Sequence, residues 1–114
     1  MNKPDSLYIL WTSAEVETFD EMVFMYAQNA KKRNWWQEVT VIIWGASATL
    51  VGKDELVQLK IKELIDGGVH VTACKACAED LGFAKLLEDL GVEVKYWGTP
   101  LTEVLKSDAK LITI

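Results

Sequence analysis

The chain reads as a three-layer α/β/α protein built on a five-stranded parallel sheet with flavodoxin-like topology. Two observations predict this class. Five short apolar runs alternate with helical patterns, the way successive βαβ units look in sequence. The 114 residues are 50% hydrophobic and 25% charged, with no linker, repeat or low-complexity stretch, so residues 1–114 read as a single domain with one core.

Leu7-Tyr8-Ile9-Leu10-Trp11 is the first strand. Thr12 then reads as the N-cap of a capping box closed by Glu15. The helix that follows reaches about Arg33, with Val16, Phe19, Val23, Tyr26, Ala27 and Ala30 recurring on its buried face. Acids crowd its start, and Lys31, Lys32 and Arg33 its end. That arrangement complements the helix dipole, so the basic cluster reads as structural. Met22, Phe24 and Met25 fall outside the stripe and mark either a subunit contact or an unusually wide buried face.

Val39 to Trp44 is the second strand, apolar almost throughout and therefore buried on both faces. Gly45-Ala46-Ser47 closes it. A second helix starts at Asp54 as N-cap, carries Val57, Ile61, Leu64 and Ile65 inward, and stops at Gly67-Gly68. The third strand, Val69 to Ala73, delivers Cys74-Lys75-Ala76-Cys77 at its carboxyl end. A short helix reaches Gly82, and a further segment, Ala84 to Leu90, stops at Gly91. Val92 to Tyr96 is the fourth strand. Thr99-Pro100 opens the last helix, where proline is tolerated, and Lys110 to Ile114 closes the sheet.

Strand composition speaks to sheet order. The first two strands look doubly buried, whereas the third and fourth alternate. An order 2-1-3-4-5 would leave the apolar second strand on an edge, so 4-3-2-1-5 is expected.

The net charge of −5 argues against a nucleic-acid surface. The opening MNKPDSLYILW lacks a signal-peptide pattern, and no apolar stretch approaches the ~18–20 residues that span a bilayer. A cytoplasmic location without membrane binding is expected, and with it reduced cysteines.

Ligands of open parallel sheets collect beyond the carboxyl ends of the strands. Here those ends carry Trp11, Thr12 and Ser13, then Trp44 and Gly45, then Cys74, Lys75 and Cys77, then Trp97. The aromatic rings either wall a dry cleft or simply suit strand ends where one edge stays wet. Cys74 stands where strand becomes helix, so helix amides and the charge of Lys75 can hold a thiolate there. Being ahead of the helix, Cys74 is expected to be the more exposed sulfur and the nucleophile. Cys77 is then either a resolving partner or plain packing.

Three chemistries use such a pair. Zinc needs about four ligands, and one Cys-x-x-Cys with the solitary His70 falls short, so no metal is expected. A thioredoxin-type site would follow the first strand behind an aromatic residue, whereas this pair follows the third strand behind Ala73. Persulfide chemistry needs only one activated thiolate, although Cys77 could attack a Cys74 persulfide and release sulfide. His70 lies about 13 Å along the strand from Cys74, too far for a catalytic pair. The phosphate-binding patterns GxxxxGK(S/T) and GxGxxG are both missing, and no cofactor is expected.

The order of elements, with Val69-x-Val71-x-x-Cys74-x-x-Cys77-Ala78-x-x-x-Gly82, resembles the DsrE/DsrF-like family. The stretches Leu7 to Thr12 and Val39 to Gly45 look like one subgroup of it. The resemblance implies the α/β/α fold, assembly into homo-oligomeric trimers or hexamers, and for some members relay of sulfur as cysteine persulfide between donor and acceptor proteins. It places the active cysteine at Cys74, eight residues before Gly82. Three functions stand side by side: a sulfurtransferase-like carrier, a non-catalytic oligomeric binding module, and a Cys74–Cys77 dithiol redox protein.

Overall fold

Strands β1 (Ser6–Trp11), β2 (Glu38–Ile43), β3 (His70–Cys74), β4 (Glu93–Lys95) and β5 (Lys110–Thr113) form one parallel sheet in the order β4-β3-β2-β1-β5. This is the expected order, and its cause is visible in β2, where every residue from Val39 to Ile43 is buried. The computed structural model describes residues 5–114; residues 1–4, part of the opening read for a leader, lie outside the described residues.

One face of the sheet presents Leu7, Ile9 and Trp11, Val39, Val41 and Ile43, and Val71 and Ala73. Period-two alternation puts these on one side, where the larger helical layer covers them. That layer starts with a continuous helix made of α1 (Val16–Thr18), a π-helical stretch (Phe19–Phe24) and α2 (Met25–Lys32). It continues with α3 (Ala46–Lys53), α4 (Glu55–Asp66), α5 (Lys75–Leu81) and α6 (Ala84–Leu90). Phe19, Val23, Ala27 and Ala30 are fully buried as the periodicity predicts, but Val16 is exposed because the helix begins there, at the rim. Met22 and Met25 are exposed, whereas Phe24 packs on the core.

The other face carries Tyr8, Leu10, Ile42 and Cys74 and is covered by α7 (Gly98–Lys106) through Leu101 and Val104. One helix cannot roof a five-stranded sheet. Tyr8 and Leu10 are therefore half-buried, so β1 is not doubly buried in the way β2 is.

Several helix ends follow the sequence signals. Asp54 caps α4, its carboxylate accepting the Val57 amide at 3.1 Å. Gly82 and Gly91 end α5 and α6 in the left-handed region. Lys31 at the end of α2 donates to the Gln37 carbonyl at 2.7 Å, a structural use of the basic cluster.

Two local expectations are corrected. Thr12 does not cap the first helix, because β5 runs alongside and the Thr12 hydroxyl donates instead to the Ile114 carbonyl at 3.0 Å. The Glu15 amide is taken by Ser13 Oγ at 3.0 Å. Residues after Gly45 are not merely a closing turn, since they coil into α3. The last helix starts one residue before Thr99, at Gly98, leaving Pro100 inside its first turn, where its missing N–H costs nothing.

Candidate functional site: a two-thiol rim

Cys74 ends β3 with its side chain on the thinly covered face, because Ala73 before it faces the larger layer. The next residue begins α5, which turns the chain back so that Cys77, one turn later, packs against the same cluster of Ile42, Cys74 and Trp97. Both cysteines are free thiols. The Cys77 side chain packs against the Cys74 side chain within this cluster.

Burial pushes the Cys77 thiol above its ordinary value of 9.0. The Gly45 N–H pulls the other way, but the Cys74 sulfur and the Asp80 carboxylate add to the rise. Cys77 is therefore held in its protonated, neutral form more firmly than a free thiol would be.

The expected order of exposure is reversed. Cys74 is buried at 6% exposure, and Cys77 is the half-buried one. The Cys74 side chain points down onto the sheet face beneath Trp97, while Cys77 sits at the rim. Nor do the helix amides reach Cys74, which occupies the N-cap position without a side-chain capping bond. Its polar neighbour is the second thiol.

Trp97 is the N-cap of α7 and is itself buried. Its indole N–H donates to Thr72 Oγ1 at 2.8 Å, and the Thr72 hydroxyl donates to the Glu93 carbonyl at 2.9 Å. Lys95 Nζ stands 5.0 Å from the Trp97 ring centroid, a cation–π contact. Trp44 packs half-buried against the same cluster.

Gly45 adopts φ 74° and ψ −130°, a backbone region that side chains rarely enter. That turn is held by Ser47, fully buried, whose hydroxyl donates to the Trp11 carbonyl at 2.7 Å and accepts the Trp44 amide at 3.0 Å. Sequence reasoning assigns Ser47 no role beyond closing a turn. The signal for it is a serine two residues after a strand-ending glycine.

The structure thus gathers Cys74, Cys77, Trp44, Gly45 and Trp97. It does not bring the remaining rim residues to them. Trp11 lies on the opposite face, fully buried and stacked on Phe19 at 4.7 Å, with its indole N–H unpartnered. Thr12 and Ser13 serve the backbone as described. The Lys75 ammonium lies 5.3 Å from the Tyr96 ring, toward solvent.

Farther down the same face, His70 Nε2 donates to Glu93 at 2.9 Å and Lys95 stands 3.7 Å from that carboxylate. Partial burial alone would raise the Glu93 carboxyl, but His70 and Lys95 hold it below its ordinary 4.5. Among the described residues, no group of three or more His, Cys, Asp or Glu side chains could hold a metal ion. No helix of the described residues is long and apolar enough to cross a membrane.

Fold and rim together define a flavodoxin-like three-layer α/β protein with a paired-thiol site at the carboxyl edge of its sheet. The chain is 44% identical to BT1422, a conserved protein of unknown function from Bacteroides thetaiotaomicron, over 96% of this chain and 95% of that one, with a TM-score of 0.95. It belongs to that protein's family. YchN from E. coli shares the fold at 17% identity and TM-score 0.73, with 96% of this chain and 98% of that one covered. MTH1491, a protein of unknown function from Methanobacterium thermoautotrophicum, does so at 17% identity and TM-score 0.66, with 96% and 97% covered. No family model and no curated protein matches the chain.

Proposed function

We propose that this is a cytoplasmic sulfur-handling protein of the DsrE/DsrF-like type, in which Cys74 accepts a sulfane sulfur and holds it as a persulfide. The observation that carries this reading is the packing of Cys74 against a second thiol at the edge where parallel sheets bind ligands. Cys74 thiolate attacks the outer sulfur of a donor RS–SH. A new S–S bond forms, the donor S–S bond breaks, and RS⁻ leaves with the electron pair. Cys77 packs beside the attacking sulfur, and Trp97 and Trp44 exclude water.

The assembly that goes with this reading is a homo-oligomer, trimer or hexamer. Met22, Met25 and Trp35, exposed together around one pocket on the first helix, are its contact surface in our proposal. The burial of Cys74 favours a second reading, a non-catalytic binding module in which both cysteines pack.

The test is sulfur uptake by Cys77→Ser from a sulfane donor, read by peptide mass. The reading expects one added sulfur atom on the peptide holding Cys74 and none in Cys74→Ser. Equal uptake by both variants, or by neither, refutes it.

A further inference from the structure

We infer that Cys77 resolves the Cys74 persulfide, so that the site reduces a small persulfide to hydrogen sulfide and closes a Cys74–Cys77 disulfide. This rests on the reading of Cys74 as sulfur acceptor and changes what becomes of the sulfur. A carrier must keep its persulfide until an acceptor docks. Here a thiol of the same chain already stands one helical turn away, packed in the same cluster as Cys74. An intramolecular thiol competes against any docking partner with an effective concentration no partner reaches in solution.

The step balances. Cys77 gives its proton to the RS⁻ released in the first step, and its thiolate attacks the inner sulfur of Cys74–S–SH, forming the Cys74–Cys77 bond. The bond to the outer sulfur breaks, and that sulfur leaves with the electron pair as HS⁻, in equilibrium with hydrogen sulfide. Over both steps RS–SH and two cysteine thiols give RSH, hydrogen sulfide and one disulfide. The sulfane sulfur is reduced, the dithiol is oxidised, and a dithiol reductant resets the site by exchange.

Burial also sets the substrate class. Cys74 is only 6% exposed and is packed against Ile42 and Trp97, with half-buried Cys77 and Trp44 on the same cluster. A donor must bring its terminal sulfur on a slim carrier, as a low-molecular-mass persulfide does.

The experiment mixes the reduced full chain with an equimolar amount of glutathione persulfide, then measures free sulfide and intact mass without reductant. The inference expects wild type to release one sulfide per chain and to lose the mass of two hydrogens. Cys77→Ser should gain one sulfur and release no sulfide, and Cys74→Ser should do neither. Wild type that keeps a stable added sulfur on Cys74 overturns the inference and leaves the carrier reading standing. Failure of both wild type and Cys77→Ser to react overturns the carrier reading itself.

Discussion

The indole N–H of Trp97 donates to the hydroxyl of Thr72 at 2.8 Å, and this bond pins the ring over Cys74. Thr72 lies two residues before the cysteine on the same strand face, so the strand that carries the sulfur also anchors its roof. Thr72→Val keeps the side chain's shape but strands a buried donor, which costs about 1–3 kcal/mol. Denaturant unfolding should show that loss, and alkylation of Cys74 should speed up as the ring loosens. Thr72→Ser should restore both.

Gly45 holds φ 74°, and an added Cβ would meet no neighbour there, so the strain of Gly45→Ala is confined to the backbone. Strain of that kind costs about 1–3 kcal/mol. Relief requires the amide to turn away from Cys77. The variant should therefore unfold at lower denaturant, and its Cys77 should ionise at still higher pH, read by pH-dependent alkylation.

Cys77 gives the chain an alkaline signature. Its folded value lies above the ordinary 9.0. The stability this contributes is fully present below that ordinary value and is lost as pH rises through the folded one. Unfolding measured from neutral to alkaline pH should show that decline in wild type. The decline should be shallower in Cys77→Ser.

Glu93 gives an acid signature of opposite sign. Its folded value lies below 4.5, so its contribution is present above that pH and fades as pH falls through the folded value. Glu93→Gln should flatten this part of the acid limb in unfolding curves. His70→Ala should weaken it, because His70 supplies the hydrogen bond.

Much of this arrangement is legible in the residues. The apolar run Val39 to Ile43 dictates an interior strand and with it the sheet order. The junction of the third strand with a helix places both cysteines at one rim. Alternation puts Trp11 on one face with Leu7 and Ile9, but that this face is opposite Cys74 depends on the register between strands and is not legible. The reversed exposure of the two cysteines is not legible, because it depends on a distant element, α7, bringing Trp97 across Cys74. The Thr12 cap fails for a similar reason, since its hydroxyl bonds to the far end of the chain, 102 residues on. Helix α3 is hard to see because Ala46-Ser47-Ala48-Thr49 shows weak periodicity and Gly52 interrupts it. Gly52 is nonetheless required, because a Cβ there would meet the Phe83 ring at 2.4 Å.

Native alkylation with a small uncharged reagent, followed peptide by peptide against denaturant, tests the account most directly, because all of it requires a reagent to reach Cys74 in the folded chain. The account predicts that Cys74 is modified at a rate independent of denaturant below the unfolding transition. A rate that climbs with denaturant in step with global opening would mean that the sulfur is sealed in the core, and would contradict it.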